Sequence, residues 1–217
     1  KKWLIILGIA LLSFLAACGE SENASSESSG DKEDKKVIRV GATPDGFPHT
    51  YVENEEMHGF IVEVFEAIFH RLGYEIDWVL TDWNGVLANM ESGKIDTVIN
   101  FAHTEERAKM YNFSDPYYSS KAAIATSRDN PNIDSLDDLE GKELASVMGT
   151  NFENVLKAHY PDAGYEIVVF ESVDVIYNDV ASGKVDGFIY GREQLMAQIA
   201  QKDIPLQVVG EPFGDQP

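Results

Sequence analysis

Ser92-Gly93-Lys94-Ile95-Asp96-Thr97-Val98-Ile99-Asn100 returns ninety positions later as Ser182-Gly183-Lys184-Val185-Asp186-Gly187-Phe188-Ile189-Tyr190. A segment with helical spacing precedes each copy, and an apolar run of strand length follows it. The glycine ends the helix, and the lysine sits near the negative end of its dipole. Two copies of one helix-to-strand junction predict two similar lobes. Lobes built this way bind between them.

Working outward from the first copy, residues 37–41 read as a short strand. Residues 59–72 read as a helix with Ile61, Val64, Phe65, Ile68 and Leu72 on one face, closed by Gly73. A strand follows at 75–80, a helix at 82–91 with Val86, Leu87 and Met90 inward, and a strand at 95–100. Around the second copy the plan repeats: a capped turn at 135–139, a strand at 143–147, a helix at 151–159 and a strand at 166–170. Then come a helix at 172–181, a strand at 185–190, a helix at 192–201 and a strand at 206–209. This alternation predicts an α/β fold of mainly parallel sheets with helices on both faces, whose ligands gather at the carboxyl ends of the strands. Residues 117–127 are rich in small and β-forming residues without helical period, and read as an extended crossover between the lobes.

The first 36 residues belong to neither lobe. Lys1 and Lys2 precede an unbroken apolar run, 3–17, too short to span a bilayer and of the length of a signal-peptide core. It ends in Leu15-Ala16-Ala17-Cys18, small residues before the only cysteine. This resembles the lipobox of bacterial lipoproteins, in which the thiol carries a lipid. Residues 19–36 are almost devoid of apolar side chains and cannot offset their ordering entropy, so 18–36 reads as a disordered, lipid-anchored tether. The expected organisation is therefore signal peptide 1–17, tether 18–36, first lobe 37–120, second lobe 121–209, and 210–217 as the start of a return crossover to the first lobe. A missing initiator Met and an end at Pro217, soon after a strand, suggest a fragment.

Composition removes several function classes. With 37 acidic against 17 basic residues the formal net charge is −20, which disfavours nucleic acid and anionic lipid headgroups. One cysteine permits no internal disulfide. The histidines at 49, 58, 70, 103 and 159 lack metal-ligand spacing, so neither metal nor cofactor is expected. Asp96 and Asp186 fall at the amino ends of their strands, away from the ligand edge, and read as turn caps rather than an acid-base pair.

The chemistry gathers between Asn100 and Tyr118. Thr104 caps a short helix, and Arg107 lies in its first turn, where a cation opposes the helix dipole and calls for another reason, such as a bidentate carboxylate partner. Thr104-x-x-Arg107 followed by Phe113-Ser114-Asp115-Pro116-Tyr117 resembles the extracellular solute-binding proteins of polar amino-acid ABC importers. So do Val40-Gly41 leading to Pro44-Asp45-Gly46-Phe47-Pro48, His58-Gly59-Phe60, and Ser135-Leu136-Asp137-Asp138-Leu139-Glu140-Gly141-Lys142. The likeness runs from about residue 38 to 209.

That resemblance implies a two-lobe, type II periplasmic-binding-protein-like fold closing on a free amino acid. Arg107 would take its carboxylate, Asn100 and Ala102 would offer polar contacts, and Gly149, Thr150 and Asn151 would present helix-start N–H groups to the same carboxylate. Phe47 and Trp83 are the aromatic residues expected to stack on the ligand. Where relatives place an acidic residue against the ammonium, this chain has Gly191 between Tyr190 and Arg192. Asp45 or Glu193 is then the available negative charge. Arg192 invites a second carboxylate, which leans the ligand toward L-cystine or a dicarboxylic amino acid, and the 100–118 run also resembles cystine-type members. The implied protein is a monomeric receptor, not an enzyme, lipid-anchored on the outer face of a Gram-positive cell membrane and partnered by an ABC permease. The alternatives are a secreted prephenate-type dehydratase on the same fold and the sensor domain of a membrane kinase.

Overall fold

The computed structural model describes residues 36–129, 131 and 133–217; the expected signal peptide, Cys18 and all of the tether but residue 36 lie outside the described residues. The first sheet is built from β1 (Lys36–Ala42), β5 (Tyr74–Leu80) and β6 (Thr97–Val98). Between β1 and β5 come three short strands, β2 (Asp45–Gly46), β3 (Thr50–Glu53) and β4 (Glu56–His58), and the helix α1 (Phe60–Arg71). Helix α2 (Trp83–Glu91) joins β5 to β6. The order β5-β1-β6 is wholly parallel, while β2-β3-β4 form a separate antiparallel hairpin sheet. That hairpin was not expected from the sequence. Its tight turn places Asn54 and Glu55 at φ 51° and 69°.

The second sheet follows: β7 (Ser120–Ser127), β8 (Glu143–Val147), α3 (Phe152–His159), β9 (Glu166–Phe170), α4 (Val173–Ala181), β10 (Gly187–Gly191), α5 (Arg192–Lys202) and β11 (Leu206–Gln216). Its order is β11-β7-β10-β8-β9; β8 lies parallel to β9 and β10, and β7 runs antiparallel to both β10 and β11. Residues 210–216 are thus the far part of β11, with Pro217 just past its end. After a shift in register it continues along β7 to the pair Gln216 and Ser120. Its end meets the first lobe, where the His103 N–H donates to the Pro217 carbonyl at 2.7 Å.

Side chains alternate across the second sheet as a period of two demands. Ala123, Ala125 and Phe188 face Ile176, Tyr177, Val180 and Leu195 on α4 and α5, whereas Ala122, Ile124 and Ile189 face Val155 and Leu156 on α3. In the first lobe, Val40 and Ala42 meet Ile61, Val62 and Phe65 from α1, together with Ile99. Each fully buried Val, Leu, Ile or Phe among them contributes about 1.5 to 3 kcal/mol, and each Ala less. The other face of β1 packs closely enough on α2 that a Cβ on Gly41 would overlap Ile95 and crowd Val86.

The sequence repeat is a structural repeat. Gly93 and Gly183 adopt φ 70° and 74°, and their N–H groups donate to Met90 and Val180. Asp96 then bonds Arg39 reciprocally: its N–H donates to the Arg39 carbonyl, and its carboxylate accepts the Arg39 N–H, both at 2.9 Å. Asp186 and Glu143 do the same, at 3.0 Å each way. Asp186 thus caps the start of β8, and Asp96 binds the middle of β1, each from the turn that leads into its own strand. Arg39 adds two side-chain bonds to Asp96, at 2.9 and 2.7 Å, and holds that carboxyl at about 2.

Candidate functional site

A cavity of about 160 Å³ opens where the carboxyl end of β6, the hairpin, the starts of α2, α3 and α5, and the ends of β7 and β11 converge. Residues from both sheets line it, as expected for a fold whose strands end at a cleft.

Arg107 begins a short 3-10 turn, Arg107–Lys109, and its N–H donates to Thr104 Oγ1 at 3.1 Å. The guanidinium lies 4.4 Å above the Phe101 ring. One terminal nitrogen donates to the Ala102 carbonyl at 2.9 Å, and the other reaches the second lobe, donating to the Gly149 carbonyl at 3.0 Å. Among the described residues it forms no ion pair. Burial lowers its pKa, but a guanidinium stays charged. A half-buried guanidinium that lines a cavity and makes no ion pair among the described residues has the chemistry to hold an anion.

Asn100, two residues past β6, lies at φ 57°, a left-handed conformation that asparagine tolerates, and its N–H donates to the Tyr117 hydroxyl at 2.9 Å. This turn brings Asn100, Phe101 and Ala102 to the cavity wall. Across the cleft, Thr150 and Asn151 line the cavity at the start of α3. Asn151 makes no side-chain cap, so the first-turn N–H groups of α3 are not satisfied by one. Gly149 lies just behind. It adopts φ 75°, and a Cβ there would come within 2.9 Å of Asn84 and 3.1 Å of Trp83, so glycine serves both the turn and the close approach of the first lobe. The Trp83 indole donates to the Gly149 carbonyl at 2.9 Å. One carbonyl of the second lobe is therefore held by two donors from the first.

Of the residues singled out from sequence, Arg107, Asn100, Ala102, Trp83, Thr150, Asn151 and Tyr190 line one cavity. Gly149 contributes its carbonyl from behind. Phe47 does not reach this cavity: its ring packs edge-on against Tyr51 at 5.0 Å, beside a shallow cleft between the hairpin and α5. The chain's turn into the hairpin carries it away. Arg192 also stays outside, because as the first residue of α5 it precedes by two positions the helix face that looks into the cavity at Gln194. The second-carboxylate reading loses its cation with it.

Sequence reasoning missed Phe101, which carries the Arg107 guanidinium, and Tyr117, which fixes Asn100. It also missed His49, Thr50 and Gln194. The signal for Gln194 was present: Gln194 and Gln198, four residues apart on α5, share one face, and both are buried, at 5 % and 3 % exposure. Gln198 Nε2 donates to the Asp45 carbonyl at 3.2 Å, joining α5 to the hairpin. Burial pushes the Tyr190 hydroxyl pKa up, with Asp45 adding to the effect, and Gln194 Nε2 donates to that hydroxyl at 3.4 Å. Glu193 accepts from Ser120 Oγ at 3.0 Å and does not line the cavity. Among the described residues no group of three His, Cys, Asp or Glu side chains is placed to hold a metal, and no helix is long and apolar enough to cross a membrane.

The family model for bacterial extracellular solute-binding proteins, family 3, matches residues 38–204. The probable amino-acid-binding protein YxeM of Bacillus subtilis is 38 % identical over 214 residues, 98 % of this chain and 79 % of that protein. The putative amino-acid ABC transporter-binding protein PatH of Vibrio harveyi is 34 % identical over 177 residues, 81 % of this chain and 71 % of that one. Among solved structures, an ancestral arginine-binding protein bound to arginine superposes with a TM-score of 0.73 at 31 % identity, covering 83 % of each chain.

Proposed function

Because the chain belongs to the bacterial extracellular solute-binding proteins, family 3, we propose that it captures a free polar amino acid in the cleft between its lobes and delivers it to an ABC permease. The observation that carries this reading is Arg107, a cation at the lobe boundary with no carboxylate among the described residues, facing the uncapped start of α3. The ligand's carboxylate joins the two, so binding favours the closed arrangement. The family and the relatives it matches are solute-binding proteins, not enzymes, and the dehydratase and kinase-sensor readings have no comparable support.

In this reading Asn100, Ala102, Thr150 and Asn151 contact the ligand's polar head, and Trp83 and Tyr190 wall its side chain. The protein acts as a monomer, held to the outer face of a Gram-positive cell membrane through a lipid on Cys18. The test is a calorimetric titration of the protein with each of the common L-amino acids and L-cystine. Saturable binding by at least one, lost with the corresponding amide that lacks a free carboxylate, supports the proposal. Absence of binding by all of them rejects it.

A further inference from the structure

The shallow cleft beside Phe47 is a separate space from the cavity around Arg107. Its walls come from the hairpin of the first lobe and from α5 of the second, and Asp45 alone lines both spaces. None of the residues given above to the amino acid lines it. Its volume is about 210 Å³, more than ten times the roughly 15 Å³ that a single water needs.

The side chains that face this cleft keep accessible surface and share one chemistry. Phe47 and Tyr51, both half-buried, supply aromatic surface, and the exposed Asp45 and Glu53 supply carboxylates. Tyr51 packs against Phe47 and against His58 on the next strand, with ring centroids 5.0 and 5.8 Å apart, so the rings hold one another in place. Lys202 is the only cation in the lining, and Asp174 engages it at 3.1 Å. Neither Asp45 nor Glu53 forms an ion pair among the described residues. Aromatic faces attract a cation through their quadrupole, and two unpaired carboxylates beside them add to the attraction, whereas an anion is repelled by both.

The two walls belong to different lobes. Gln198 Nε2, on α5, donates to the Asp45 carbonyl at 3.2 Å and ties them together. The cleft is therefore complete only while the lobes meet. A molecule held there favours the closed arrangement, and by reciprocity it strengthens the hold on a ligand in the main cavity.

From this we propose that Phe47, Tyr51, Asp45 and Glu53 form a second binding site, for a small organic cation such as a quaternary ammonium, and that this cation and the amino acid bind cooperatively. The site stands apart from the amino-acid reading; the cooperativity alone rests on it.

Choline and 3,3-dimethylbutan-1-ol test the proposal, since they share a shape and differ in charge. Calorimetry is expected to show choline binding at least about tenfold tighter than the neutral alcohol. Glu53→Gln and Tyr51→Leu, each checked by circular dichroism, should each weaken choline at least about threefold. Saturation with a bound amino acid should tighten choline binding, and choline should tighten the amino acid by the same factor. Absence of saturable binding at millimolar choline, or equal binding of the alcohol, overturns the cation site. Choline affinity unaltered in both variants overturns its location. Displacement of choline by the amino acid puts it in the main cavity and overturns the second site. Independent binding of the two overturns the cooperativity and leaves the site. If no amino acid binds, the parent reading and the cooperativity fail, while the choline titration still decides the site.

Discussion

Trp83→Phe deletes one N–H donor and keeps an aromatic ring against Phe101, whose centroid lies 5.5 Å from that of Trp83. The donor lost is the indole that reaches the Gly149 carbonyl at 2.9 Å. That carbonyl keeps its second bond, from Arg107 at 3.0 Å, so no acceptor is stranded and the cost falls in the ordinary range for one exchanged hydrogen bond, about 0.5 to 1.5 kcal/mol. Since the bond exists only while the lobes touch, the whole of it acts on the closed-to-open ratio, which falls roughly two- to tenfold. Apparent affinity scales with the fraction of protein that is competent to bind, so the Kd of any bound amino acid rises by up to the same factor. Calorimetry reads the affinity, and small-angle scattering on ligand-free protein reads the opening as a larger radius of gyration. If affinity drops while the ligand-free scattering curve stays unchanged, Trp83 acts through the ligand alone and the interlobe-latch reasoning is refuted.

Arg107→Ala strands a ligand carboxylate in a desolvated site at a cost of about 3 kcal/mol or more, so amino-acid affinity is expected to fall at least about a hundredfold. Calorimetric binding equal to that of the unaltered protein sinks the assignment. Tyr117→Phe removes the acceptor of the Asn100 N–H and leaves that amide unpaired, costing about 1 to 3 kcal/mol. Scanning calorimetry should register a loss of roughly 2 to 4 °C in Tm per kcal/mol, and an unchanged Tm contradicts the role given to the hydroxyl. For Asp96 the folded pKa, about 2, lies below the ordinary carboxylate value. The stability contributed by the Arg39 bonds is therefore full above that ordinary value and lost as pH falls toward about 2. Melting curves of Asp96→Asn should lack this part of the acid dependence, and parallel profiles for the two proteins would count against it.

Where local chemistry alone sets the backbone, the sequence could be read closely. Strands 143–147 and 166–170 coincide with β8 and β9 because β-forming residues are bounded there by turn residues, and the helix at 82–91 starts where the Asp82 side chain accepts the Gly85 N–H. The strand expected at 95–100 shrinks to Thr97–Val98. Its first residues fold back on the end of α2, with Ile95 N–H reaching Asn89, and Asn100 leaves the extended region. The hairpin escaped notice because its strands have two to four residues, too few for a period, and its turn uses Asn-Glu instead of Asn-Gly. Arg107 stood out in the sequence because a cation at a helix start contradicts the dipole, and the structure places it on the cavity wall. Phe47 and Arg192 were misplaced for the opposite reason: nearness in sequence to a site residue does not fix direction, which the hairpin and the first turn of α5 decide.

The paired aspartates at the rear of each lobe bear on how capture proceeds. Asp96 and Asp186 rivet adjacent strands at the end remote from the opening, so the alignment of each half is settled by the chain's own carboxylates before any nutrient arrives. The loops at the front then project like cantilevers from a clamped base. Under the proposed closure, capture brings two finished jaws together with no refolding within either, so the on-rate should be governed by encounter and rotation.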